Sequence, residues 1–370
     1  MDPRSSSAHA VNVSRRTVLG AAGIASLSAL LAACAGGSGS ASPTATGKLN
    51  VYSWADYFSK QNLSGFKAKH GFAPKISTYD DNDTLFAKLN SSARTNYDLV
   101  VPSSGWIQVY AQKGLLEKID HSRIPFDRLD PDLLNRTYDP HNAHSIPKDW
   151  GVYGVIYDPA VTGEIRTWDD FFAAGLKDDV QGKIRLGTSG WETVGQQLWA
   201  DGVKWNTTSI DTIKAAGDKL KTWVGKAHPQ FTSFDVDKVV NGSIVLAVYN
   251  QAGARTAIQQ NPKLKWVVPG PTSELWVDSY AIPKGAKNLD SAYQFLDYLL
   301  TEQAQVRDTT YLGYPTALKG LRDKLPSGTK NVDLIFGGAD VDLSKLQTFV
   351  VDQKTLPVYQ EIQSELQAAA

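Results

Sequence analysis

The chain has 370 residues, enough for two domains of ordinary size or one large one. Its 38 Lys+Arg balance 38 Asp+Glu, which removes the electrostatic case for nucleic acid or an acidic membrane face as a partner. Ten Trp and fifteen Tyr are more rings than packing alone usually needs, and the excess points to a ligand surface.

At the N-terminus, Arg15-Arg16 precedes a mostly apolar run over 17–33 that is too short for a comfortable membrane span and reads as the h-region of a signal peptide. The twin arginines of Ser14-Arg15-Arg16-Thr17-Val18-Leu19 point to the Tat export route. The run closes on Leu31-Ala32-Ala33-Cys34, which resembles the lipobox of bacterial lipoproteins, where cleavage before the cysteine leaves it as the lipid-bearing first residue. Cys34 is the only cysteine, so no intramolecular disulfide can form, and lipidation gives an exported protein a reason for one thiol. Residues 1–33 are therefore expected to be a signal peptide. The Gly/Ser/Ala-rich segment 34–47 is expected to be a flexible, lipid-anchored tether.

From Lys48 the pattern becomes α/β. A strand is expected at LNVYSW (49–54), a helix at 58–70, a strand at PKISTY (74–79), a helix at 82–94 capped by Asn82 or Asp83, and a buried strand at YDLVVP (97–102). The alternation returns with a strand at 183–188, helices at about 191–201 and 210–226, and a strand at SIVLAVY (243–249). Strands alternating with helices imply a parallel sheet covered on both faces, and two α/β lobes are the expected architecture. Ligands of such sheets bind beyond the carboxyl ends of strands. That rule selects Ser53-Trp54-Ala55-Asp56-Tyr57, Pro102-Ser103-Ser104, Ser189-Gly190-Trp191-Glu192 and Tyr249-Asn250-Gln251, each joining a ring to an acid or small polar group. The strand in ELWVDSYAIP (274–283) puts Trp276, Asp278 and Tyr280 on one face by simple alternation, so large rings share that face with a carboxylate.

Catalytic patterns are lacking. The six histidines form no HExxH pair, GTSG (187–190) is not the GxSxG of a nucleophile elbow, and no GxxxxGK[ST] loop occurs. One cysteine cannot build a CxxC metal site.

The segments VYSWADYF, STYDDNDTLFAKL, YDLVVPSS, GLLEKID, LDPDLLN, SIPKDWG, WVDSYAIP and LGYPT occur in an order that resembles the spermidine/putrescine-binding family of extracytoplasmic solute receptors for ABC importers. The resemblance runs from Lys48 to about Leu366. It implies a periplasmic-binding-protein-like fold of two lobes, one formed by 48–152 plus 277–322 and the other by 156–272 plus 327–370, closing over an amine. It further implies a non-enzymatic, lipid-anchored extracytoplasmic monomer, in the periplasm or on the outer face of the cell membrane, with no cofactor, that hands its ligand to a permease powered by an ATPase. Carried over position by position, the family pattern makes Trp54 and Tyr57 walls, Ser103 a polar contact, Glu192 and Asp278 amine acceptors, and Trp276 a ring along the methylene chain. Tyr249 falls where the family usually has Trp, Tyr314 matches a ring near one end, Asp56 an acid used by putrescine-type members, and Gln347 a contact near the C-terminus. Two positions depart from the pattern, because Ser189 and Ala252 stand where family members carry acids for terminal amines. The competing readings are the same fold binding a monoamine, another amine-containing compound, iron or an anion, and a Tat-exported enzyme.

Overall fold

The computed structural model describes residues 46–370. The expected signal peptide, Cys34 and nearly all of the expected tether lie outside those residues. Among the described residues no helix is long and apolar enough to cross a membrane.

Nine strands form the described sheet: β1 (Asn50–Ser53), β2 (Lys75–Thr78), β3 (Leu99–Val100), β4 (Ser145–Tyr157), β5 (Ile184–Leu186), β6 (Gln230–Phe231), β7 (Leu246–Asn250), β8 (Lys265–Val267) and β9 (Leu275–Ala281). Their order is β2-β1-β3-β9-β4-β7-β5-β6, with β8 also pairing with β4. The outer pairs, β1 with β2 and β3 and β5 with β6 and β7, are parallel. The pairs that join them through β9 and β4 are antiparallel.

The 13 residues of β4 organise this arrangement by changing partners partway along. Residues from Ser145 to Val152 pair with β9, and those from Tyr153 to Tyr157 pair with β7. Nearly every β4 residue is buried, so the strand lacks the in/out alternation that marks a half-exposed strand in sequence.

Local chemistry explains most element ends. The helix Lys60–His70 starts at Ser59, whose side chain accepts from the Asn62 N–H, and stops at Gly71, which takes the left-handed φ of 81° that a helix C-terminus favours. The helix expected over 82–94 instead covers Asn82–Leu89 and is capped by Asp81, whose carboxylate accepts from the Thr84 N–H. It ends where Ser91 turns its side chain onto the local backbone, donating to the Lys88 carbonyl and accepting from the Ala93 N–H. Such bonds compete with helix continuation. A short 3-10 turn, Ser92–Asn96, follows.

Nine of the ten tryptophans fall into two groups, and the tenth, Trp266, is partly buried against the core. Trp150, Trp168, Trp199, Trp205 and Trp223 are buried in the core, and Trp199 lies within 5.6 Å of Trp168 and 4.8 Å of Trp205 between ring centroids. Trp54, Trp106, Trp191 and Trp276 instead line a cavity. Packing thus accounts for more of the rings than the composition suggests, and the remainder is concentrated in one place.

Candidate functional site

The cavity measures about 710 Å³ and lies at the carboxyl ends of the parallel strands. Trp54, Asp56 and Tyr57 reach it from the turn after β1, and Ser103 from the segment after β3. Ser189, Trp191 and Glu192 reach it from the start of the helix Gly190–Ala200 that follows β5, and Tyr249 and Asn250 from the end of β7. Glu274, Trp276 and Asp278 reach it from β9 and the residue before it.

Asp278 sits in a buried hydrogen-bond cluster. The Tyr57 hydroxyl lies 2.5 Å from Asp278 Oδ2 and 2.8 Å from Asp149 Oδ1, while Lys148 Nζ is 2.6 Å from Asp149 Oδ2 and 3.8 Å from the centre of the Tyr57 ring. Lys148 and Asp149 are both fully buried and neutralise one another, the condition under which a buried charge is tolerated. Among the described residues Asp278 has no salt-bridge partner of its own. Burial, and then the neighbouring Asp149 charge, push its carboxyl up to about 7, against bonds from Ser103 and Tyr57 and the more distant pull of Lys148. The single phenolic hydrogen of Tyr57 is shared between the two carboxylates, and a proton or an added cation would balance the remaining negative charge on Asp278.

A second acidic group stands elsewhere on the wall. Glu192 lies in the first turn of its helix, where the helix dipole favours negative charge. Burial nevertheless raises its carboxyl to about 7, opposed by Arg185 and by a bond from Tyr153. Arg185 is largely committed to backbone, its Nε donating to the Thr232 carbonyl at 2.8 Å and its Nη1 to the carbonyl of Val248. Glu274 is buried, and its carboxyl lies well above the usual range because of burial and then the charges of Glu192 and Asp278.

Rings surround these acids. Trp276 meets Tyr314 edge to face at 5.0 Å, Trp54 packs against Tyr79 at 4.6 Å, and Trp191 stacks on Phe349 at 5.6 Å. Tyr249 lies flat on Phe234 with centroids 3.9 Å apart, and the Arg185 guanidinium is 5.1 Å from its ring centre. The placement of Trp276 depends on Gly151, its register partner on β4. A Cβ at position 151 would stand 2.3 Å from the indole Cζ2 and 2.7 Å from the Gln251 amide, so only glycine leaves room for the indole there.

Of the residues that sequence reasoning selects, Trp54, Asp56, Tyr57, Ser103, Glu192, Tyr249, Trp276, Asp278 and Tyr314 line this one cavity. Asp56 is exposed at its edge, in a turn with φ of 52°. Gln347 is not among the lining residues; its side-chain oxygen instead accepts the Trp205 backbone N–H at 2.8 Å. Ser189 lines the wall and Ala252 does not. The lining residues that sequence reasoning passes over include Tyr79, Asp81, Tyr153 and Glu274. For Glu274 the signal was present, because the alternation that groups Trp276 with Asp278 reaches Glu274 one step earlier.

A cavity with buried carboxylates and ring faces suits a cationic solute. A model of the bacterial extracellular solute-binding protein family matches residues 61–334. The spermidine/putrescine-binding periplasmic protein of Escherichia coli (strain K12) is 31% identical over 299 residues, covering 79% of this chain and 84% of that protein. Its namesake in Salmonella typhimurium is 30% identical over 328 residues, covering 86% and 91%. Among solved structures, the spermidine/putrescine ABC transporter substrate-binding protein PotD of Streptococcus pneumoniae is similar with a TM-score of 0.75 at 27% identity, covering 87% of this chain and 99% of that one. The Treponema pallidum lipoprotein Tp0655 shares the fold, with a TM-score of 0.77 at 24% identity over 86% of this chain and 99% of that one. With the matched segment spanning most of its length, the chain belongs to the bacterial extracellular solute-binding protein family.

Proposed function

We propose that this chain is the substrate-binding lipoprotein of an ABC importer, capturing a polyamine in the cavity and delivering it to a membrane permease without chemical change. One observation carries the reading: Asp278, Glu192 and Glu274 line the same ring-walled cavity, and burial holds all three carboxyls above their ordinary range. A protonated amine has hydrogen-bond donors and no acceptor, so leaving water is tolerable only where carboxylates and ring faces replace its hydration. Each ring face contributes roughly 0.5–2 kcal/mol and each charged hydrogen bond about 1.5–3 kcal/mol. In this reading Asp278 and Glu192 accept ammonium groups, Trp276 and Trp54 cover the methylenes, and Tyr57, Ser103, Tyr249 and Tyr314 complete the walls. Asp56 adds charge at the mouth. Gln347 acts indirectly, through the Trp205 backbone.

The change of partner along β4 between Val152 and Tyr153 supports lobes made of 48–152 with 277–322 and of 156–272 with 327–370. A ligand that touches both lobes favours the closed state by its differential affinity for it. A cognate amine therefore raises the melting temperature of residues 46–370, by mass action, at concentrations well above its Kd. A panel in which sugars or anions shift the melting point and no amine does at millimolar concentration would contradict the proposal.

Export by the Tat route and anchoring through a lipid on Cys34 complete the reading, with the protein a monomer outside the cell membrane. Cys34→Ala is expected to release the protein from the membrane fraction while leaving its melting temperature unchanged. A variant that remains lipid-modified removes the anchor from the account.

A further inference from the structure

Glu274, Trp276 and Asp278 occupy alternate positions on β9 and its approach, and all three line the cavity. Alternate residues share a face, so the strand presents an acid, a ring and an acid in a row, with the outer two about 13 Å apart at four residues' rise. Glu274 is only 8% exposed. Among the described residues no salt bridge or side-chain hydrogen bond engages its carboxylate, and the charges that act on it, those of Glu192 and Asp278, are negative. Burial beside two acids favours the neutral, protonated form of Glu274 in the empty protein, so its charged form is left without a partner there. A positive ligand group supplies one.

We infer that Glu274 accepts a terminal amine, and that the row Glu274–Trp276–Asp278 selects an extended polyamine over a short diamine. This rests on the amine reading above. In an extended chain each bond advances about 1.25 Å, which sets terminal nitrogens about 11 Å apart in a triamine such as spermidine and about 6 Å apart in putrescine. Only the longer ligand reaches both acids while laying its methylenes on the Trp276 face. Ser189 also lines the cavity, which makes it a position at which a substitute acid can be tested.

Calorimetry with spermidine and putrescine on the wild type, Glu274→Gln and Glu274→Gln with Ser189→Asp tests this, with the melting temperature of each empty protein measured alongside. The wild type is expected to prefer spermidine. Glu274→Gln is expected to weaken spermidine about 10- to 100-fold, leave putrescine nearly unchanged and keep or raise the melting temperature. Ser189→Asp, at a helix N-cap where aspartate is favoured, is expected to restore part of the spermidine affinity. If the wild type binds spermidine and Glu274→Gln binds both amines as the wild type does, the inference fails and the amine reading stands. Equal loss for both amines with a lowered melting temperature shows a structural glutamate and also overturns it. If the wild type binds neither amine, the amine reading fails and takes the inference with it.

Discussion

Asp278→Asn is expected to lower polyamine affinity about 10- to 150-fold, because it removes one charge-assisted hydrogen bond of about 1.5–3 kcal/mol and leaves a desolvated ammonium facing an amide that also presents N–H donors. The empty protein should lose little stability. The Asn side-chain oxygen can still accept from the Tyr57 hydroxyl, which lies 2.5 Å from Asp278 Oδ2, and the buried Lys148–Asp149 pair remains intact. Removing a carboxyl that burial and Asp149 already disfavour in its charged form also relieves electrostatic strain in the cluster. Titration calorimetry and thermal melts on the same two proteins separate the possibilities. Unchanged affinity together with a large fall in melting temperature would mean that Asp278 belongs to the scaffold.

The second large effect is one of pH. Asp278 and Glu192 both have carboxyls raised to about 7, whereas in the unfolded chain they titrate near about 4. A cationic ligand binds the ionised forms, so binding expels the protons that the empty site holds below neutrality. Affinity is expected to rise with pH, by roughly 25-fold between about pH 5.5 and 7.5 for one released proton and by more for two, and to level off above that range. The empty protein follows the opposite sign. Between about pH 4 and 7 the folded state holds more protons than the unfolded chain, so these groups favour folding most at low pH and lose that contribution as pH climbs through 7. Calorimetry in buffers of differing ionisation enthalpy counts the protons released. Affinity that is flat from pH 5.5 to 7.5, with no dependence on buffer, would show that neither carboxylate meets the ligand in its charged form.

Much of the site can be read in the sequence because the strand-end rule and the side-chain alternation are local. The turns after β1, β3, β5 and β7 are where an open sheet exposes its ligand residues, and all four contribute to the cavity. Trp276 and Asp278 follow from period-two spacing. Glu274 lies on the same face one step earlier, just outside β9 (Leu275–Ala281), where strand alternation alone is a weaker guide. The Lys148–Asp149–Tyr57 cluster was beyond reach, since it depends on β4 and β9 lying side by side, with Asp149 opposite Asp278. β4 itself is hard to see in sequence. It is buried on both faces and contains Pro147, Gly151 and Gly154, residues that ordinarily argue against a central strand. Two of them have local reasons: β4 has its register irregularity next to Pro147, and Gly151 admits the Trp276 indole. Gln347 shows the limit of positional carry-over. Its side chain turns to the Trp205 backbone, a contact between segments 142 residues apart that no local pattern encodes.

Native mass spectrometry of residues 46–370, isolated from cells without added ligand and then released by denaturation, tests polyamine capture most directly. The account predicts a one-to-one complex whose released small molecule is an aliphatic amine carrying two or more basic nitrogens, spermidine before putrescine. Release of a sugar, a metal ion or an anionic metabolite in the same stoichiometry would contradict it.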